Sequence, residues 1–128
     1  MGVHAHVTPR AVPARWARGG APIAARRLRK WYGLTQEAFA RAVGVSRSTV
    51  TRWEAQDGGP DPDTAEGRIL RVMEEVRRLS RRIWGEAGAR KWLQDHVVRL
   101  RGRPVDVLIV DGPVPLYQTL MELWEGTF

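Results

Sequence analysis

The stretch GLTQEAFARAVGVSRSTVTRWE, residues 33–54, predicts two short helices joined by a tight turn. Thr35 and Ser46 are good N-cap residues, and each precedes a run with apolar positions at helical spacing. Gly44 lies between the runs, where the turn requires a positive φ that glycine adopts freely. The inward positions are apolar or small: Phe39, Ala40, Val43, Val45, Val50 and Trp53. We therefore predict a pair of helices that meet at a sharp angle.

The outward positions of this pair are short, hydrogen-bonding or cationic. They are Gln36, Ser46, Arg47, Ser48, Thr49 and Arg52. An ordinary helical hairpin more commonly exposes glutamate and lysine, whereas arginine, serine and threonine suit contacts with DNA phosphates and base edges. The alternative, a helix pair that binds no DNA, is disfavoured by the basic charge of the segment.

The net charge of the 128-residue chain is +7, and it is unevenly distributed. Residues 1–58 carry ten Arg or Lys against three acids, whereas residues 104–128 carry four acids and no basic residue. The four acids are Asp106, Asp111, Glu122 and Glu125. A basic end and an acidic end suggest two different partners, the first of them polyanionic.

The composition is typical of a globular protein of the cytoplasm. The chain is 43% hydrophobic and 27% charged, and it contains no cysteine, which excludes disulfides and thiolate metal sites. No apolar run approaches the roughly 18 residues of a membrane helix, and no signal peptide is recognisable. We predict no membrane partner, no cofactor and no metal site.

Four parts follow one another along the chain. They are a flexible basic arm (residues 1–20), a small helical domain (21–62), a connecting helix (63–86) and a C-terminal part (87–128). Helical periodicity predicts one helix over residues 64–84 and another over residues 89–100, with Gly85 and Gly88 between them. The first of these helices carries an apolar stripe of Ile69, Val72, Met73, Val76, Leu79 and Ile83.

This stripe is predicted to contact a second copy of the chain. One DNA-binding helix pair buries little DNA surface, so useful affinity requires two copies on a palindromic site. We therefore expect at least a dimer, with the connecting helix as its interface.

The segment PVDVLIVDG, residues 104–112, is ambiguous when only its residues are considered. Its β-branched run favours a strand, whereas Pro104 at a first helical position and Gly112 at the end would also frame a short helix.

Residues 22–62 resemble the helix-turn-helix of the Xre/Cro family of bacterial and phage DNA-binding proteins, through the spacing of Gln36, Ala40, Gly44, Val50 and Trp53-Glu54. The resemblance implies that Gln36 and Ser46 hold phosphates, that Arg47, Ser48 and Arg52 face base edges, and that Thr49 lies near the groove wall. It also implies a structural ion pair between Arg29 and Glu54. The segment AQDGGP departs from the family, which usually has a glycine two residues after the glutamate.

Residues 88–128 resemble the toxin-binding domain of Xre/MbcA/ParS-type antitoxins, through Trp92-Leu93, the Gly102/Pro104 pair, Gly112 and the terminal Glu-Gly. The resemblance implies that the Pro104 segment is helical, which makes the predicted fold all-α. It also implies a toxin partner, commonly a RES-domain enzyme that consumes NAD, whose cleft is blocked by the last residues of the antitoxin. Those residues are Leu123, Trp124, Glu125 and Phe128. In the alternative interpretation, Trp124 and Phe128 only close a small core.

The predicted function is therefore that of an antitoxin that binds its own operator DNA and a co-expressed toxin. The closer alternative is a stand-alone repressor whose C-terminal part only oligomerises. An enzyme is disfavoured because His96, beside Asp95, has no evident nucleophile partner and is expected to be a solvated surface residue.

Overall fold

In the computed structural model, which describes residues 11–12 and 20–126, those residues form helices and connecting loops without a β-strand. The helices are α1 (Ala25–Tyr32), α2 (Gln36–Val43), α3 (Arg47–Ala55), α4 (Ala65–Gln94), α5 (Pro104–Asp111) and α6 (Val114–Glu125), with a 3₁₀ turn at Val98–Leu100. The all-α fold class is confirmed. Most of the predicted arm at residues 1–20, and Phe128, lie outside the described residues.

The ends of α2 and α3 lie where the capping residues predicted them. The Thr35 hydroxyl accepts a hydrogen bond from the Ala38 amide at 3.0 Å, and the Ser46 hydroxyl accepts one from the Thr49 amide at 3.2 Å. Gly44 ends α2 in the left-handed conformation, with φ 88° and ψ 32°. The turn between the helices therefore depends on local backbone hydrogen bonding and on the one residue type without a Cβ.

Helix α4 is interrupted once, at Gly85, whose φ of 80° and ψ of 177° are not helical. Gly88 continues the second half of α4, and a Cβ at this position would lie 2.5 Å from the Trp84 Cβ. The predicted break is therefore confirmed at Gly85 and wrong at Gly88, where glycine allows the close approach of Trp84. The predicted end of the second helix at residue 100 is also wrong, because the helix ends at Gln94.

The chain leaves α4 after Gln94 because residues 95–102 form a tight reversal instead of another helical turn. The Val97 amide donates to the Gly102 carbonyl at 2.9 Å, and Arg101 adopts a left-handed φ of 58°. This reversal directs the chain from α4 into α5.

The Pro104 segment is a helix, as the family resemblance implied and against its β propensity. Val105 and Leu108 are buried, and α5 packs against α2 and α4. Burial of an apolar face by neighbouring helices supplies more free energy than the propensity difference between helix and strand.

The stripe on α4 belongs to the core of the protomer. Met73 and Val76 are fully buried, and the Tyr32 hydroxyl of α1 donates to the Met73 carbonyl at 2.6 Å. The predicted dimer contact is therefore wrong for Ile69, Val72, Met73 and Val76, which their own chain already covers, whereas Leu79 and Ile83 are only partly buried. The buried residues form one cluster from Ala25 to Leu120, which crosses the predicted part boundaries at 62/63 and 86/87.

Candidate nucleic-acid interface

The buried carboxylate of Glu54 holds the helices of the candidate site together. Arg29 of α1 binds it with two hydrogen bonds, from Nε to Oε2 at 2.6 Å and from Nη2 to Oε1 at 2.9 Å. Gln36 Nε2 at the start of α2 donates to Oε1 at 3.0 Å. The Glu54 side chain is 4% exposed. The pair predicted between Arg29 and Glu54 is therefore confirmed, and it joins α1, α2 and α3.

The hydrogen bonds from Arg29, then the one from Gln36, and last the Arg26 guanidinium 3.5 Å from Oε1 lower the pKa of Glu54 from 4.5 to about 2. Burial acts in the opposite direction, but the guanidinium bonds outweigh it. The carboxylate is consequently ionised at neutral pH and neutralised locally by Arg29, so the buried charge does not repel a polyanion.

The orientation of the Gln36 side chain is fixed from both ends of its amide. Its Nε2 donates to Glu54, and its Oε1 accepts a hydrogen bond from the Thr51 hydroxyl at 3.3 Å. The amide nitrogen carries two N–H donors, and its bond to Glu54 uses one of them. Gln36 can therefore bind an acceptor such as a phosphate oxygen without losing its contact with Glu54.

The exposed face of α3 carries two cationic and several hydroxyl side chains. Arg47, Ser48 and Arg52 are exposed, and Thr49 is half-buried at the edge of this face. Among residues 11–12 and 20–126, the guanidinium groups of Arg47 and Arg52 have no hydrogen-bond or ion-pair partner. Exposed guanidinium groups on a short helix suit bidentate contacts with guanine in the major groove.

The Ser46 hydroxyl lies within 3.1 Å of the Ser48 hydroxyl and 3.0 Å of the Thr49 hydroxyl, in addition to capping α3. The structure thus brings the six predicted DNA-binding residues to the exposed side of α2 and α3. Their individual DNA contacts stay predictions.

Thr51 and Arg26 are two neighbours that the sequence prediction left out of the site. Thr51 is exposed between Arg47 and Arg52 on the helical projection of α3. That projection was available from the sequence alone. The position of Arg26 next to Glu54 depends on the packing of α1 against α3, which no local pattern specifies.

The loop after α3 replaces the glycine of the family with a different turn. Asp57 adopts the left-handed conformation with φ 54°, and the Gly58 amide donates to the Trp53 carbonyl at 2.9 Å. The Gly58 carbonyl then accepts from the Ala25 amide at 3.1 Å. The loop therefore departs from the family pattern but still packs on the start of α1.

At the opposite end of the sequence, the last turn of α6 is exposed. Leu123 and Trp124 are 39% and 49% exposed, and Glu125 is exposed as well. The Arg82 guanidinium of α4 lies 5.1 Å from the Trp124 ring centroid, within cation–π range. The alternative in which Trp124 closes the core is wrong, because half of the side chain faces solvent. The role of Phe128 lies outside the described residues.

The acidic charge of this end is partly neutralised within the chain. Asp106 is paired with Arg103 at 2.8 Å, and Glu122 with Arg99. Sequence counting treated these acids as available to a partner, whereas Arg103 pairs with Asp106 three residues further along and the reversal at residues 95–102 brings Arg99 to Glu122. Glu125 is the exposed acid of the last turn, and it makes no ion pair with the described residues.

Over residues 11–12 and 20–126, no helix combines the length and apolarity that crossing a membrane requires. The same residues contain no group of three or more His, Asp or Glu that could hold a metal ion.

Comparison with known protein families matches one segment of the chain, which contains the helix pair. Residues 26–66 match the model of the helix-turn-helix family. No curated protein matches the chain. The match begins in α1, includes both α2 and α3, and ends at the first turn of α4, so it covers the Glu54 cluster and the exposed face of α3. Residues 26–66 are therefore an Xre/Cro-type helix-turn-helix domain, the DNA-binding domain of a transcriptional regulator.

Proposed function

We propose that this protein is an antitoxin of a type II toxin–antitoxin pair. Its helix-turn-helix domain binds the operator of its own operon, and the end of α6 binds and inhibits a co-expressed toxin of the RES type, which consumes NAD. The protein acts as a dimer or larger homo-oligomer in the cytoplasm and performs no chemistry of its own.

The DNA-binding half of the proposal is supported by the family match and by the α3 face. Arg47 and Arg52 are exposed without an acidic neighbour on that face, because Glu54 is buried and held by Arg29. Such a face matches the negative potential and the hydrogen-bonding edges of the major groove.

The toxin-binding half depends chiefly on one observation, the exposure of Trp124 at the end of the last helix. Tryptophan is enriched among the residues that dominate protein–protein binding energy, and a tip of Leu123, Trp124 and Glu125 fits an apolar cleft with basic walls. An open groove of ≈ 650 Å³ adjoins this tip along α6, and Tyr117 and Glu125 contribute to its lining. The toxin therefore has both a protruding tip and a concave surface to contact.

A stand-alone repressor is the second candidate. The ion pairs of Asp106 and Glu122 within the chain favour it, since they reduce the acidity that a partner would meet. In that case the exposed end of α6 binds another copy of the protein and releases no toxicity when removed.

The two candidates differ in what happens when the tip is altered. The reading frame adjacent to the gene is expressed from an inducible promoter, together with the full chain or with a variant, and growth and cellular NAD are measured. The full chain is expected to restore growth and cellular NAD. Removal of residues 123–128, Trp124→Ala and Glu125→Lys are each expected to lower the number of surviving cells by at least about tenfold and to lower cellular NAD, because loss of a dominant contact weakens binding on that order. Val98→Ala, which alters an even more exposed apolar residue outside the tip, is the control.

Each arm of this experiment has a defined meaning. Growth arrest that the full chain fails to relieve, or an adjacent product without toxicity, contradicts the antitoxin proposal and leaves the repressor. Full protection by the soluble truncated chain shows that the tip is not the inhibitory element. Operator binding by the truncated chain verifies that its helix-turn-helix domain is folded.

Arg47→Ala is expected to reduce the preference for operator over random DNA by about 1–3 kcal/mol, because Arg47 is placed to reach a guanine edge with two hydrogen bonds. Gln36→Ala is expected to weaken binding to both DNAs alike, since a phosphate contact carries no sequence information. Fluorescence anisotropy with a labelled upstream fragment and a scrambled duplex measures both effects. Retention of the full operator preference by the Arg47 variant would show that Arg47 does not read a base.

A further inference from the structure

We infer that Arg26 of α1 is an additional phosphate-binding residue of the DNA interface, acting beside Gln36. This inference rests on the proposed DNA-binding function and adds a contact from a helix outside the helix pair. The ion pair between Arg29 and Glu54 forms without Arg26, so the Arg26 guanidinium is available for another role.

The Glu54 carboxylate is already satisfied without Arg26. Its two oxygens accept hydrogen bonds from Arg29 at 2.6 and 2.9 Å and from Gln36 at 3.0 Å. Arg26 lies farther away, with its Nε 3.5 Å from Oε1, and its Nη2 donates to the Glu54 main-chain carbonyl at 3.2 Å. Two guanidinium groups therefore adjoin one carboxylate, so a net positive charge remains at this point.

Arg26 also has free hydrogen-bonding capacity. Its side chain is 45% exposed, compared with 17% for Arg29. A guanidinium has five N–H donors, and within the described residues one of those of Arg26 donates a hydrogen bond, to the Glu54 carbonyl. The remaining donors can reach an external acceptor, and the net positive charge of the cluster favours an anionic one.

The shared carboxylate oxygen places Arg26 next to the residue predicted to hold a phosphate. Arg26 Nε and Gln36 Nε2 both lie within 3.5 Å of Glu54 Oε1. The two side chains can therefore donate to neighbouring oxygens of one phosphate or to adjacent phosphates of one strand. Gln36 also lies at the N-terminus of α2, whose dipole favours the same ligand.

Arg27 provides a control of the same charge on the same helix. Arg27 is exposed, but it lies on the other side of α1, where it lines a groove with Trp31 and Arg90 and does not adjoin Glu54. Arg27→Ala therefore removes one positive charge but not the proposed contact, whereas Arg26→Ala removes both.

The test measures binding of a 20-base-pair random-sequence duplex at several salt concentrations. Each phosphate contact contributes about 0.9 to the slope of log K against log salt concentration. Arg26→Ala is therefore expected to reduce the magnitude of the slope by roughly 0.9 and the affinity at low salt by roughly fivefold, whereas Arg27→Ala leaves the slope as in the wild type. Arg26→Lys is expected to recover most of the slope, because it retains the charge.

The failure of the inference is distinguishable from failure of the proposed function. If the wild-type chain does not bind the duplex, both the DNA-binding function and the role of Arg26 are contradicted. Wild-type binding with equal slopes for the Arg26 and Arg27 variants overturns the role of Arg26 and leaves the DNA-binding function. Should Arg26→Ala unfold, as judged by circular dichroism, the slopes of Arg26→Gln and Arg26→Lys decide, since glutamine retains a donor for the Glu54 carbonyl.

Discussion

Glu54→Gln is expected to lower the free energy of unfolding by about 3 kcal/mol at neutral pH, the range found when one partner of a buried ion pair is removed. The glutamine amide can accept only one of the two hydrogen bonds from Arg29. The Arg29 guanidinium also loses its counter-charge, at a site where the Glu54 side chain is 4% exposed. Urea denaturation followed by circular dichroism measures the loss. Glu75→Gln, which removes a half-buried acid paired with Arg78 at 3.6 Å on α4, is the control and is expected to cost less than about 1 kcal/mol.

The same carboxylate gives the wild-type protein a defined acid sensitivity. The pKa of Glu54 is about 2 in the folded chain against 4.5 without the fold, so the folded state binds fewer protons between these values. The corresponding stabilisation, about 3 kcal/mol, is complete above pH 4.5 and is lost as the pH falls toward 2. When the free energies of unfolding of both proteins are measured at pH 7, 4 and 3, the Glu54→Gln variant is expected to lack this pH-dependent stabilisation. Parallel pH curves for the two proteins would contradict the low pKa.

Gly59→Ala is expected to destabilise the protein by about 3 kcal/mol, because its Cβ would lie 2.0 Å from the Ile23 carbonyl oxygen. The obstructing atom belongs to the backbone, so it cannot move aside as the end of a side chain can. The substitution therefore separates the loop after α3 from the start of α1, where the Gly58 carbonyl accepts from the Ala25 amide.

The adjacent glycine provides the control for this prediction. A Cβ at Gly58 would lie 3.9 Å from the nearest atom, the Gln56 carbonyl oxygen, which is an ordinary contact. Gly58→Ala is expected to change the free energy of unfolding by less than about 1 kcal/mol. Melting temperatures of the two variants measure the difference, and equal values would show that the loop does not dock on α1 as described.

Local chemistry in the sequence determined where the DNA-binding helices begin and end. Thr35 and Ser46 each accept a hydrogen bond from the amide three residues further along the chain, and Gly44 adopts the left-handed backbone conformation. Each of these effects is local along the chain. Such signals do not depend on the rest of the fold. The α3 face was predictable for the same reason, because helical periodicity alone separates the exposed Arg47 and Arg52 from the buried Val50. The pairing of Arg29 with Glu54 required the family resemblance, since the two residues lie far apart along the chain.

Tertiary packing decided which apolar and charged surfaces remain free. The α4 stripe has the same pattern whether it faces a second subunit or its own core, and only the docking of the other helices covered Met73 and Val76. Likewise, the sequence cannot show that the reversal at residues 95–102 brings Arg99 to Glu122, or that Trp124 ends half-exposed beneath Arg82. Burial and ion pairing between distant residues depend on which elements meet in space, and periodicity specifies the face of a helix but not its partner.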